Sequence, residues 1–220
     1  MKIIGGIDEA GRGPVFGPMI VCGLTILEEK YFILKEMGVK DSKLLTPRNR
    51  EKLAPQIQKV VEKLVIRELS PEKIDDLRAK GVSMNEIEVQ IMAEILTELK
   101  PDVVYIDAVD VKEERFGQNI KRLAGLKNVE IIAEHKADFT YPIVGAASII
   151  AKTRRDAEIA KIQTKYGEIG SGYPSDPVTI KFLENWVQNH KNLPPFARKS
   201  WKTSQNILNN SVRQRKITDF

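Results

Sequence analysis

The chain has 220 residues, 42% apolar and 30% charged, with 35 Lys/Arg against 30 Asp/Glu and a formal net charge of +5. That length supports a hydrophobic core, and the composition fits a folded soluble chain rather than a disordered, collagen-like or membrane protein. The longest runs without a charged residue, 13–27 and 139–151, fall short of the roughly 20 residues a membrane helix needs, and export is not expected, since the first apolar stretch has no pattern of a secretory leader. One cysteine, Cys22, lies in an apolar segment, which excludes an internal disulfide and a Cys zinc cluster and predicts a buried packing role in a reducing, cytoplasmic setting.

In chain order, residues 2–7 read as a strand ending at Asp8-Glu9, and residues 19–27 as a second strand rich in Ile, Val, Leu and Thr, with Gly and Pro between them. Thr46-Pro47 has the form of an N-cap with proline at the first helical position, and Leu53, Ile57, Val60, Val61 and Leu64 then recur at helical spacing. A third strand follows at 64–69. Ser70-Pro71 repeats the cap signature for a short helix to about residue 80, and Ser83 with Glu86 has capping-box spacing for a longer one ending before Pro101. Strand, helix and strand then alternate over 103–106, 113–123 and 129–133, which favours parallel pairing. A long helix over 143–165 and a Gly-rich loop over 167–176 lead to C-terminal helices. The organisation expected is a catalytic part over 1–175, a helical part over 176–210 and a flexible tail over 211–220.

Residues 181–220 hold eight Lys/Arg and two Asp/Glu, so the whole basic excess lies there, together with Trp186, Trp201, Phe182 and Phe196. Two readings are open. Interleaved cations and aromatics suit a surface that meets a phosphate backbone and stacks on sugars or bases. They equally suit a helical pair whose lysines are solvated and whose aromatics pack on the rest of the chain.

Three strand-like segments lead into carboxylates: Asp8 and Glu9 after the first, Asp107 after 103–106, and Asp138 a few residues beyond 129–133. Neighbouring strands would bring four acids together. Crowded carboxylates repel unless protons or cations compensate, and an all-oxygen cluster suits hard divalent ions such as Mg²⁺ or Mn²⁺. Two such ions can clamp the attacking and leaving oxygens of a phosphodiester displacement. Any one of these acids could instead be an ordinary turn residue or helix cap. Gly11-Arg12-Gly13 follows the first acidic pair directly, where glycines allow close backbone approach and arginine can meet phosphate. Neither a Walker loop nor a dinucleotide-binding GxGxxG occurs.

The run GIDEAGRGPVFGPM at 6–19 resembles the signature of type 2 ribonuclease H, the ribonuclease HII family, in its archaeal and eukaryotic branch. In the family's order follow DSKLLTP at 41–47, IDA at 106–108, EHKAD at 134–138, AASIIAK at 146–152, GSGYPSDP at 170–177 and WKT at 201–203. The resemblance implies an α/β, RNase H-like fold: a mixed five-stranded sheet flanked by helices, with a C-terminal helical extension that closes over the substrate. It implies a metal-dependent endonuclease, with two divalent ions during catalysis, that cleaves RNA in RNA/DNA hybrids and at ribonucleotides in duplex DNA, leaving a 5′-phosphate and a 3′-hydroxyl. The family's metal-binding acids fall on Asp8, Glu9, Asp107 and Asp138, the four selected from strand ends.

The same resemblance has Gly11, Arg12 and Gly13 contacting the 2′-hydroxyl and neighbouring phosphates, and Tyr173 stacking on the sugar of the following nucleotide. Lys43 and Lys152 are the phosphate contacts it suggests. Asp110 does not match a ligand position and reads as a solvated loop acid, and neither His135 nor His190 reads as catalytic. With no further domain ahead of the first strand, the related ribonuclease HIII type is not expected. Gln214, Ile217 and Phe220 resemble a sliding-clamp (PCNA) binding peptide that lacks its second aromatic. The expectation is a cytoplasmic monomer; the alternatives are a junction-resolving DNA nuclease of the same fold and a catalytically idle, clamp-bound adaptor.

Overall fold

The computed structural model describes the backbone of residues 1–39 and 45–218, and side chains within those ranges up to residue 211. Five strands, β1 (Ile3–Ala10), β2 (Met19–Leu27), β3 (Lys63–Leu69), β4 (Val103–Asp107) and β5 (Glu130–Glu134), form one sheet in the order β3-β2-β1-β4-β5. β2 runs antiparallel to β1, whereas β4 is parallel to β1 and β5 is parallel to β4. The sheet is therefore mixed. The parallel pairing expected from strand-helix-strand alternation is present, with α5 (Glu113–Ala124) as the crossover between β4 and β5.

Among the remaining helices, α2 (Pro47–Val60), α3 (Pro71–Ala79) and α4 (Met84–Leu99) begin at the caps read from sequence. Thr46 and Ser70 accept the N–H groups of Asn49 and Lys73, and Ser83 with Glu86 closes a reciprocal capping box. Two helices lie outside the sequence reading, α1 (Tyr31–Glu36) and α6 (Ala137–Thr140), both too short to display a helical period. α7 (Pro142–Tyr166), α8 (Pro177–His190) and α9 (Lys202–Thr218) complete the chain, and the backbone of α9 runs on through most of the stretch expected as a tail. No helix among the described residues is long and apolar enough to cross a membrane.

The chain divides into two compact units, neither continuous in sequence. The first comprises Met1–Ala10, Ile20–Glu68 and Ser83–Arg154. Its core joins Ile20, Cys22, Leu24 and Ile26 of β2 to Ile143, Val144, Ala147 and Ile150 of α7, so Cys22 has the packing role expected of it and burial pushes its thiol pKa up. Residues 142–151 of α7 are buried all round, the mark of a core helix rather than a surface one. Its close approach to the sheet depends on Gly6, where a Cβ would come within 2.7 Å of the Ile143 backbone.

The second unit comprises Gly11–Met19, Leu69–Val82 and Arg155–Phe220. Its core gathers Val15, Phe16, Ile159, Ile169, Leu183, Val187, Phe196 and Ala197. Phe16 meets Phe182 and Phe196 edge-on at centroid distances of 5.9 and 5.2 Å, and Trp186 stacks on His190 at 4.1 Å. Of the two readings of the basic, aromatic region, internal packing accounts for Phe182, Trp186 and Phe196.

Candidate active site

In the first unit, register places the acids. Ile7 of β1 pairs with Ile106 of β4, so Asp8 and Asp107, the next residue on each parallel strand, lie at one level. Asp107 pairs in turn with Glu134 of β5. Three carboxylates thus line the C-terminal edge of the parallel strands. One expectation differs in detail: Asp8 and Glu9 lie within β1 rather than after it, because pairing with β2 continues to Ala10 and Ile20; Asp138 lies in α6, a short way beyond β5. The chain reaches α6 through Lys136, whose φ of 58° turns the backbone sharply, and the Ala137 N–H then donates to Asp107 Oδ1 at 2.9 Å. That bond ties the segment carrying Asp138 to the end of β4.

Asp8 is only 3% exposed, and its Oδ1 accepts the N–H of Glu9 at 2.7 Å. Burial holds its carboxyl well above the usual pKa range, and the charges of Glu9 and Asp107 push the same way. A hydrogen bond with Ser148 and the charge of Lys152 oppose them. Ser148 and Lys152 stand one turn apart on α7, joined by a bond from Nζ to Oγ of 2.5 Å, so one helix face presents a hydroxyl and an ammonium to the acids. Ser148 is fully buried and was not singled out from sequence. Its signal was there, as a lone hydroxyl four residues before a lysine in an apolar run.

Asp138 is 1% exposed, Glu9 and Asp107 half-buried. The donor set is all oxygen and carries more negative charge than nearby cations balance, which suits a hard divalent ion. No three Asp, Glu, His or Cys side chains among the described residues are gathered closely enough to hold one ion as they stand. The residues fit such an ion in donor chemistry and charge, with their carboxylates spread apart. Asp110 corrects the sequence reading: it is 7% exposed rather than solvated, receives both Arg115 Nη2 contacts at 2.6 and 2.7 Å, and its pKa is lowered first by the Lys112 N–H. His135 has its Nδ1 2.9 Å from the Ala108 carbonyl.

The second unit carries the other candidates. Gly11 has φ of 84°, and a Cβ there would meet the Pro18 carbonyl at 2.7 Å, so this turn requires glycine. Tyr173 lies in the loop between α7 and α8, 39% exposed, with the Arg155 guanidinium 4.9 Å from its ring centroid. Arg155 also donates to the Ser171 carbonyl at 2.8 Å, fixing ring and loop together. Asp176 shapes the same loop by accepting from the Ser171 N–H at 2.6 Å and the Val178 N–H at 2.9 Å. Those bonds, Ser171 first, hold its carboxyl down at about 2, so the loop keeps its anchor across the neutral range. Lys43 and Phe220, and the side chains of Gln214 and Ile217, lie outside the described residues.

Against known proteins, residues 5–204 match the family model described as Ribonuclease HII. The chain is 51% identical over 213 residues to the ribonuclease HII of Methanosarcina acetivorans, covering 93% of this chain and 95% of that one. Among solved structures it is similar to the ribonuclease H2 from Pyrococcus horikoshii OT3, at 43% identity and a TM-score of 0.89, over 96% of this chain and 99% of that one. It is also similar to the ribonuclease HII solved in a PCNA complex from Archaeoglobus fulgidus, at 42% identity and a TM-score of 0.84, over 93% and 96%.

Proposed function

The chain belongs to the ribonuclease HII family and is a type 2 ribonuclease H, and from that premise we propose that it cleaves the RNA strand of RNA/DNA hybrids and incises at ribonucleotides embedded in duplex DNA. The observation that carries this reading is Asp8, nearly closed off from water under the charges of Glu9 and Asp107 at the end of parallel strands. Asp8, Glu9, Asp107 and Asp138 would hold two divalent ions, Mg²⁺ or Mn²⁺, whose charge would stabilise the attacking and leaving oxygens of the displacement. Membership of the family implies a 5′-phosphate and a 3′-hydroxyl as the products. Lys152, held by Ser148, supplies a fixed positive charge beside the acids and contacts a substrate phosphate, with Lys43 as a second phosphate contact. Gly11, Arg12 and Gly13 read the 2′-hydroxyl, the group that distinguishes RNA from DNA. The enzyme works as a cytoplasmic monomer in DNA replication and repair.

The test is cleavage of three duplexes: one with a single ribonucleotide, a uniform RNA/DNA hybrid and an all-DNA control. Cutting is expected in the first two alone, and efficient cutting of all-DNA duplex would instead indicate a DNA nuclease. Tyr173→Ala sharpens it. Aromatic stacking on a base is worth about 1–3 kcal/mol, and a stack on the sugar at the low end of that range should lower cleavage at a single ribonucleotide about fivefold, with a smaller fall on the uniform hybrid. Equal falls on both would remove Tyr173 from junction recognition.

We also propose a sliding clamp as partner of Gln214, Ile217 and Phe220. Support comes from their spacing and from the relative solved in complex with PCNA. Deleting residues 211–220 should leave cleavage of short oligonucleotides within about twofold, against the fivefold or more that 1–2 kcal/mol would produce, while weakening association with purified clamp. Superimposable clamp titrations of the full and shortened chains would exclude the tail.

A further inference from the structure

Arg198 lies between α8 and α9 and is fully buried, yet its partners are backbone carbonyls. Its Nη1 donates to the Arg12 carbonyl at 2.8 Å, its Nη2 to the carbonyls of Gly11 and Gly17, and its Nε to Gly17 again at 3.1 Å. Trp201 extends the arrangement, donating from Nε1 to the Gly13 carbonyl at 3.1 Å while its ring lies 4.7 Å from the guanidinium carbon. The main chain adds the Arg198 N–H on the Val15 carbonyl and the Gly17 N–H on the Phe196 carbonyl. Burial, and then the neighbouring Arg155 charge, lower the pKa of Arg198. A cation kept in such surroundings is costly, so its carbonyl contacts must be specific to justify it.

The geometry has a directional consequence. All peptide bonds here are trans, so the C=O of one residue and the N–H of the next point opposite ways. With the carbonyls of Gly11 and Arg12 drawn onto Arg198, the N–H groups of Arg12 and Gly13 are aimed away from it, and Gly13 is exposed. Glycines at 11 and 13 could otherwise turn these peptide planes over at little cost. We propose that Arg198 is a positioning residue for substrate discrimination: by fixing those two carbonyls inward it presents the N–H groups of Arg12 and Gly13 as a fixed donor pair for the ribonucleotide. Trp201 supports the third peptide of the same turn. This rests on the reading that residues 11–13 contact the ribonucleotide.

The test is the ratio of affinities for a duplex with one ribonucleotide and the same duplex in all-DNA form, measured without divalent ions. A ratio is insensitive to the fraction of protein folded, so a purely structural role would leave it unmoved. Arg198→Met should lower the ratio about tenfold, the worth of one hydrogen bond to a substrate hydroxyl. Arg198→Lys keeps the charge but cannot fork to three carbonyls, and should recover part of the ratio. Trp201→Phe should lower it less than Arg198→Met. Wild-type ratios in folded Arg198→Met would overturn the proposal. If that variant does not fold, unchanged ratios in both Arg198→Lys and Trp201→Phe would overturn it instead. A wild-type chain that binds both duplexes equally would overturn the reading of residues 11–13 on which it depends.

Discussion

Asp8→Asn is expected to reduce cleavage by about a thousandfold or more while leaving hybrid binding within a few-fold of wild type. The amide keeps the size and much of the hydrogen bonding of the carboxylate but removes the charge that would hold an ion. Charge stabilisation of a phosphodiester transition state by bound metal amounts to several kcal/mol, and each 1.36 kcal/mol is about tenfold in rate. Binding draws on phosphate and sugar contacts elsewhere, so it should survive. The structure adds a second readout. Asp8 is buried beside Glu9 and Asp107, and its pKa is raised in the folded chain. A carboxyl with a raised folded pKa binds its proton more tightly folded than unfolded. Its contribution to stability is therefore full below the unfolded value and is lost as pH rises through the folded one. At neutral pH without divalent ions, the asparagine variant should melt above wild type, and the gap should close as pH falls below the unfolded carboxylate value. Near-normal turnover at saturating Mg²⁺, or a lower melting temperature at neutral pH, would contradict the placement of Asp8 at a crowded anionic centre.

What could be read from the sequence, and what could not, follows the range of the forces involved. The caps at Thr46, Ser70 and Ser83 are local contacts over three residues, and each begins the helix it announced. The strands carrying Asp8 and Asp107 showed in their apolar runs, and strand-helix-strand alternation carried the parallel pairing of β4 and β5. The exact end of β1 did not show, because the ladder that carries it to Ala10 is made with β2. Asp138 could be picked out as an acid close to β5 in sequence, but the turn at Lys136 and the bond from Ala137 to Asp107 are tertiary matters. Asp110 looked solvated because its burial, unlike its nearby partner Arg115, leaves no mark in the sequence. Arg198 was the least legible residue of all. A buried arginine reads as a surface charge, and its acceptors at residues 11–17 lie at the other end of the chain. The two units are likewise discontinuous, whereas composition can suggest only contiguous divisions such as 1–175.

Gly145→Ala is expected to lower stability even though alanine is the better helix former. Gly145 lies in the first turns of α7, where a Cβ would stand 2.5 Å from the Val39 carbonyl oxygen and 3.1 Å from that of Asp138. Alanine is the better helix former, worth about 1 kcal/mol over glycine in a helix interior, so propensity alone predicts a gain. Packing reverses it. The obstacles are backbone carbonyls rather than the flexible end of a side chain, and overpacking of this kind costs about 1–3 kcal/mol or more. Because one of them belongs to Asp138, relief of the contact on that side shifts α7 or the turn of α6 that carries this acid by a few tenths of an ångström. A net loss of about 1–2 kcal/mol in a chain of this length lowers the melting temperature by roughly 2–8 °C. Displacing an acid of the site by even part of an ångström should cost tenfold or more in turnover, since about 100-fold can follow from a 1 Å misplacement. Gly38→Ala is the control, since nothing lies within 4 Å of a Cβ there although its φ of 70° still disfavours alanine. It should lower stability modestly and leave turnover at the wild-type level. If Gly145→Ala melted like wild type and cleaved at the same rate, the close seating of α7 against the Asp138 segment would have no part in placing the acids.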